Sequence, residues 1–440
     1  MIYLDKNTTL TPAILSKLID KFLYNEKPKL RKWENYFKGK HDIINKIYTD
    51  SNKHCNHIIT NFCKVIAETY SGYICGKPIT YTSNEDISAI QDVLNYNDSE
   101  AEDMDFITNA LVYGVAYELY WLDAYAQVRY AQINPLDCFA IYDGTLDNEL
   151  SYFVRWFKVN TLDESDLHMV EVYDKFNKIT YRCHGLGGAL ELVGSEAHHF
   201  GAVPVSVFFL NANEESIFNS VMTLNDAYNE LQSSEIDDFN AWVDAYLVLK
   251  GVDADAEDLA EMRANRALVL PADASAEWLT KNASDTQIVN MLENIKKNIY
   301  KITACPDMAD ETFLAQSGTA LAYKLVGFEN VASAIVARFT KALQKRIELI
   351  CNILQIKATD AIWRDVNINF VRNLPVNLTE TIQLVNALKG TVSDATLLAQ
   401  IPFITDVQAE LEAVAAQKEA NMAMYSFGST KENENLDEEE

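Results

Sequence analysis

Residues 214–249 read EESIFNSVMTLNDAYNELQSSEIDDFNAWVDAYLVL, and residues 285–304 read DTQIVNMLENIKKNIYKITA. In the first stretch Ile217, Val221, Leu224, Tyr228 and Leu231 step by 4, 3, 4 and 3, the spacing that lines apolar side chains along one helix face. After the acidic Glu235, Asp237 and Asp238 the stripe resumes at Phe239, Trp242, Tyr246 and Leu249. No Gly or Pro interrupts it, so the spacing predicts one helix of about 50 Å at 1.5 Å per residue, long for a compact monomer. The second stretch repeats the step at Ile288, Leu292, Ile295, Ile299 and Ile302 and stops before Pro306. Between the two lies a small mixed insertion: an acidic helix over 255–265, a strand over 267–270 stopped by Pro271, and a strand over 276–280. A third stripe, Leu321, Leu325, Phe328, Ala332, Ile335 and Phe339, begins after Ser317-Gly318 and runs to about Leu354.

Outward from this centre the pattern changes. Towards the N-terminus, Thr11-Pro12 is a cap followed by a Pro at the first helical position, with Ile14, Leu18 and Phe22 on one face. A second helix is expected from about Asn56, where Ile59, Cys63 and Ile66 share a face, and a third after Asp103. Aromatic and β-branched runs at 117–122, 127–133, 138–142, 150–159, 169–173, 179–183 and 205–210 predict antiparallel strands joined by short turns such as Tyr142-Asp143-Gly144. Towards the C-terminus, 367–371 reads as a strand, and 378–390, 393–398 and 405–424 as helices. The last twelve residues, 429–440, carry six acids, one Lys and one aliphatic side chain, too little to build a core. The fold class is therefore α+β, mainly helical.

The 440 residues, 48% of them apolar, suffice for more than one core. Seven scattered cysteines suit a reducing compartment, and no apolar run approaches the length of a membrane span. A net charge of −27 argues against gripping nucleic acid by neutralising phosphates. That charge is uneven. Residues 1–81 hold 13 Lys or Arg against 7 Asp or Glu, a net of +6, whereas residues 82–150 hold 1 against 14, a net of −13. Between neighbouring copies such patches would attract.

Reaction chemistry is hard to find. His54, Cys55, His57 and Cys63 form the best metal candidate, but their spacing matches no zinc pattern and one helix does not bring them to one face. His198-His199 reads as a strand-edge pair without a partner motif. Gly185-Leu186-Gly187-Gly188 lacks the third Gly of a dinucleotide fingerprint and reads as a turn, and Gly76-Lys77-Pro78 lacks the flanking residues of a phosphate loop. Asp307, Asp310 and Glu311 cluster in the loop after Pro306. No catalytic residue, metal or cofactor is assigned, and a mechanical or assembly role is expected of a chain built on long helices.

Several runs, in order, resemble the portal proteins of tailed bacteriophages, specifically the siphophage type. They are Tyr36-Phe37-Lys38-Gly39-Lys40-His41-Asp42-Ile43, Asn61-Phe62-Cys63-Lys64-Val65-Ile66, Tyr73-Ile74-Cys75-Gly76-Lys77-Pro78-Ile79, Ile133-Asn134-Pro135 with Ile141-Tyr142-Asp143, and Val203-Pro204-Val205. They continue with Leu224-Asn225-Asp226-Ala227-Tyr228-Asn229, Leu247-Val248-Leu249-Lys250-Gly251 and Ser317-Gly318-Thr319-Ala320-Leu321. The likeness covers about Leu30 to Ile353, and its order is more specific than any single run.

The resemblance implies a portal fold: an α/β wing over 1–213, stem helices over 214–250 and 285–305, a small α/β clip over 251–284, and a tunnel loop over 306–316. A long kinked helix and strand return to the wing over 317–378, a helical crown follows over 379–425, and an acidic tail over 426–440 is expected to be disordered. It implies a homo-oligomeric ring of about twelve copies at one vertex of the virion, assembled in the host cytoplasm, with no membrane partner. The ring would nucleate procapsid assembly and form the channel for packaging and ejection of double-stranded DNA. Its partners would be terminase, a head-completion or adaptor protein, and the scaffolding and major capsid proteins. Lys296, Lys297, Lys301, Asp307, Asp310 and Glu311 become candidates to face the DNA. Ile217, Val221, Leu224, Tyr228, Ile288, Leu292, Ile295 and Ile299 become candidate packing positions of the stem. The competing readings are an acidic monomeric adaptor protein and a metal-dependent hydrolase using His54, His57 and Cys63.

Overall fold

The computed structural model describes residues 1–47, 55–159, 166–243, 247–250, 275–278, 285–309, 318–354, 362–373, 378–398, 401, 404, 407–408 and 410–418. The chain opens with strand β1 (Ile2–Tyr3) and helix α1 (Pro12–Lys21), whose first turn is closed by Thr11 Oγ1 accepting from the Ile14 amide at 3.4 Å. A π-turn, Phe22–Glu26, leads into α2 (Lys27–Phe37). Then follow α3 (Phe62–Cys75), β2 (Thr80–Thr82), α4 (Ser88–Tyr96) and α5 (Ser99–Tyr113). Eight strands come next: β3 (Val115–Leu122), β4 (Val128–Ile133), β5 (Cys138–Tyr142), β6 (Leu150–Lys158), β7 (Leu167–Tyr173), β8 (Asn177–His184), β9 (Glu191–Ala197) and β10 (Val205–Phe209). The second half contains α6 (Met222–Val243), β11 (Leu247–Lys250), β12 (Ser275–Trp278), α7 (Asp285–Ile302), α8 (Gly318–Leu354), β13 (Asn367–Asn369), α9 (Leu378–Leu388) and α10 (Asp394–Leu398).

Strands β1-β5-β6-β7-β8-β9 form one sheet, antiparallel except for the parallel β1–β5 pair, and β10-β3-β4 form a second. The two sheets share a core of Val115, Tyr117, Phe153, Tyr173 and Val205. The largest core lies where α1, α2, α3, α5 and α8 meet the sheets, with Phe208 of β10 stacked on Phe339 of α8 at 4.8 Å. A third core joins α4 and β4 to the C-terminal half of α8 through Ile90, Leu94, Tyr130, Ile347 and Ile350. The mixed, mainly helical class expected from the sequence is the one observed.

Boundaries differ from expectation in five places. On α1 the buried face carries Leu15 and Ile19, while Ile14 and Leu18 are only half-buried, because the π-turn rotates the chain before Phe22 enters the core. Helix α3 begins at Phe62, six residues after Asn56, with Asn61 as its cap at 3.0 Å from the Lys64 amide. The segment before it is extended. Helix α5 begins before Asp103 and ends at Gly114, whose φ of +76° would strain any other residue and where a Cβ would come within 2.5 Å of the Glu214 carbonyl. Strand β9, exposed throughout, lacks the alternation that marks a half-buried strand.

The fifth difference concerns the central stretch. Helix α6 starts at Met222 rather than Glu214, because residues 211–217 are held otherwise: Asn211 Oδ1 accepts from the Asn213 and Glu215 amides, and the Ile217 amide and Ser216 hydroxyl donate to the Leu111 carbonyl at 3.0 Å. Helix α6 therefore spans 22 residues, about 33 Å. At the far end, Leu247–Lys250 is a strand paired antiparallel with Ser275–Trp278. The acidic helix expected over 255–265 and the strand over 267–270 lie outside the described residues.

Candidate functional site

Helices α6 and α7 pack against each other and enter the largest core together at one end only. There Val221 and Ile299 are fully buried, Leu224, Tyr228 and Ile295 pack against them, and Phe62 of α3 meets Tyr228 and Tyr300 edge-on at 5.0 and 5.9 Å. Ile217 precedes the helix and packs into the same core. Ile288 and Leu292, nearer the two-stranded sheet, are half-buried and belong to none of the three cores. Val289, Met291 and Ile302 are more than half exposed. The apolar arc of α7 is thus wider than one partner helix covers.

The opposite face of α6 is polar yet buried. Asn225, Asn229, Ser233 and Asp237 recur every fourth residue and take hold of an extended segment, residues 56–60, lying along the helix. The Asn56 amide donates to Asp237 Oδ1 at 2.9 Å, the Ile58 amide to Ser233 Oγ at 2.9 Å and the Thr60 amide to Asn229 Oδ1 at 2.8 Å, while Asn225 Nδ2 donates to the Thr60 carbonyl at 2.8 Å. Alternate residues of an extended chain repeat every ~6.6 Å and one helical step of four every ~6 Å, so the two ladders match over three rungs. Asn229 also faces His41, which is stacked on Tyr36 at 4.5 Å and whose burial lowers its pKa. Sequence reasoning used the apolar side of this helix and passed over its Asn-Asn-Ser-Asp repeat.

The charged candidates divide. Lys296 Nζ lies 2.8 Å from Asp307 Oδ2, and that bond raises the lysine's pKa, so two candidates neutralise each other and tie the following loop to α7. Lys297 is exposed and 3.4 Å from Glu293, and Lys301 is exposed with no ion pair among the described residues. Asp310 and Glu311 lie outside the described residues. The C-terminal end of α7 is anchored to α3, where Tyr70 donates to the Thr303 carbonyl at 2.7 Å.

The ligand-type residues singled out in the sequence serve structural contacts. His57 Nε2 sits 2.8 Å from the Lys46 carbonyl and 3.5 Å from Cys55 Sγ, and Cys63 is buried against Asn225 with its thiol pushed up by burial. His54 lies outside the described residues, and no group of three or more His, Cys, Asp or Glu among the described residues is placed to hold a metal. Residues 185–188 form the turn between β8 and β9, and His198 Nε2 lies 2.9 Å from the Asp174 carbonyl. No helix among the described residues is long and apolar enough to cross a membrane.

A buried charge cluster that the sequence did not suggest holds α8 to the wing. Arg346, fully buried, donates to Asp103 Oδ1 at 2.5 Å and to both oxygens of Glu118 at 2.9 and 2.6 Å, and lies 4.7 Å above the Tyr130 ring. Burial pushes Asp103 up to about 6 against the pull of Arg346. Tyr120 and Gln132 complete the set of donors around Glu118.

Comparison with known proteins agrees with this architecture. The family described as "Phage portal protein, SPP1 Gp6-like" matches residues 17–424, including the C-terminal helices beyond the reach of the motif resemblance. The portal protein of Bacillus phage SPP1 is 22% identical over 464 aligned positions, covering 97% of this chain and 90% of that protein. With a match over more than nine-tenths of its length, the chain belongs to the SPP1 Gp6-like family of phage portal proteins.

Proposed function

We propose that this chain is the subunit of a closed ring of about twelve copies at one capsid vertex, through which DNA is packaged and ejected. Supporting this reading above all is the half-covered helix pair: α7 buries Ile299 within its own chain but leaves Val289, Met291 and Ile302 more than half exposed, an apolar arc that neighbours in a ring would cover. Helices α6 and α7 then form the stem, the segment between them with β11–β12 the clip, α8 and β13 the return to the wing, and α9–α10 part of the crown. The ring nucleates procapsid assembly with scaffolding and major capsid proteins, docks terminase through the clip and later holds a head-completion protein. ATP hydrolysis belongs to the motor.

Net charge suits passage without capture. A channel lined mainly by carboxylates repels phosphates, and the exposed Lys297 and Lys301, repeated around an axis, give a weak transient hold. Asp310 and Glu311 are the further candidates of this reading to act on the passing duplex. Imaging shells assembled from this chain with its cognate scaffolding and capsid proteins tests the role: the chain is expected at a single vertex, and a random or multiple distribution overturns it. Replacing Asp310 and Glu311 by Ala should spare assembly and change DNA retention; unchanged packaging and retention would remove the loop from the channel.

A further inference from the structure

Helix α5 separates two patches of opposite charge. Its C-terminal residue Tyr113 reaches Glu34 of α2 at 3.2 Å, and its N-terminal turn lies 15 residues, or ~22 Å, away beside α4. At the α1–α2 end, Lys17, Lys21, Lys29 and Lys40 are exposed and lack ion pairs among the described residues. At the α4–α5 end, Glu85, Asp86, Asp92, Asp98, Glu100 and Asp105 are exposed and likewise lack them. Other charges in this part of the chain are in part paired locally, as in Lys27–Asp137, Lys32–Asp42 and Lys178–Glu196, whereas Asp20 and Glu26 beside the lysines, and Asp147, Lys158 and Lys175 elsewhere, are exposed without an ion pair among the described residues. The two ends still differ in sign, with four unpaired lysines against Asp20 and Glu26 at one and six unpaired acids at the other.

The acidic end also carries an unfilled groove of about 490 Å³ lined by Ala89, Asp92, Val93, Tyr96, Tyr125 and Leu354, in which Tyr96 and Tyr125 are 50% and 83% exposed. The groove is apolar but for Asp92 and Gln127, with Arg129 stacked over Tyr96 at 4.8 Å, and can take a lysine side chain whose aliphatic stem covers apolar surface while its ammonium meets Asp92. Two different, complementary surfaces on one molecule make a heterologous contact, the kind that propagates head to tail and closes into a ring. We infer that the α1–α2 end of one subunit docks on the α4–α5 end of the next, and that this charge match sets the direction of assembly. The inference rests on the ring reading and names the surfaces that meet.

Reversing one patch at a time tests it. A basic-end variant (Lys17→Glu, Lys21→Glu, Lys29→Glu) carries two acidic ends, and an acidic-end variant (Glu85→Lys, Asp92→Lys, Glu100→Lys) carries two basic ends. Each alone should form at least about tenfold fewer rings than the unaltered protein in low salt, because every contact would set like charges together. Mixed in equal amounts they should recover rings in which the two variants alternate, and that recovery shows that both are folded. The mixture should be more salt-sensitive than an apolar contact, since screening acts over ~8 Å at physiological ionic strength. If either variant assembles alone as the unaltered protein does, or if the mixture recovers nothing, the docking assignment is overturned while the ring reading stands. If the unaltered protein forms no rings, the ring reading itself falls.

Discussion

The wing and the stem pair spend their apolar and polar groups differently. Around Arg346 the wing ties its own charges together: the guanidinium bonds two carboxylates and Tyr120 and Gln132 donate to Glu118, all inside one chain between α5, β3 and α8, with Gln132 Oε1 left unpaired. Along α7 the apolar positions are covered unevenly, from Ile299 at zero exposure through half-buried Ile288 and Leu292 to Val289, Met291 and Ile302, all more than half exposed. A region that closes its own core holds its shape alone; one that stops halfway leaves surface that neighbours in the proposed ring would cover.

That contrast is easiest to break at Arg346. Arg346→Ala leaves Asp103 and Glu118 buried without their counter-charge and should destabilise the isolated chain by about 3–5 kcal/mol. Denaturant unfolding of the wing measures it, and a loss under ~1 kcal/mol would show that the cluster is not the clamp described here. Leu292→Asp should do the reverse. Because Leu292 belongs to none of the three cores of the single chain, folding should change far less than ring yield, which should collapse. Normal rings from that variant would remove Leu292 from any subunit seam.

A smaller effect is expected from Asn229→Ala, which leaves the Thr60 amide without its acceptor and frees His41 from its partner. The cost should be about 1–3 kcal/mol, with faster amide exchange confined to residues 56–60. Exchange unchanged there would mean that the ladder does not hold the segment. The remaining prediction concerns pH. Asp103 sits at about 6 in the folded chain against an ordinary 3.8, so the folded state keeps a proton that the unfolded chain releases. Its contribution is fully present below pH ~4 and is lost as pH rises through ~6. Asp103→Asn should flatten that part of the stability profile between pH 4 and 6, and an unaltered slope would refute the assignment.

Much of the architecture was legible because it rests on periodicity. The stripe from Leu325 to Phe339 delivered α8 with its buried face, and the alternating runs delivered β3 to β8 and β10 within a few residues. What was hidden depends on contacts distant in sequence. The start of α6 is decided by the bonds of Ser216 and Ile217 to the Leu111 carbonyl, over a hundred residues away, and overrides a stripe that continues to Ile217. The Arg346 cluster joins residues 228 and 243 positions apart, so no local pattern announces it. The buried Asn-Asn-Ser-Asp face reads as solvent-exposed until the extended segment is laid upon it. At the charged candidates the sequence showed the residue types but not that Lys296 and Asp307 bind each other.

The central claim, that the chain's uncovered surfaces are completed by copies of itself, is tested most directly by weighing the purified protein across salt and Mg²⁺ conditions. Closed assembly predicts a species of roughly 600 kDa, about twelve copies of 49.7 kDa, imaged as a ring. Monomers or dimers under every condition would contradict it.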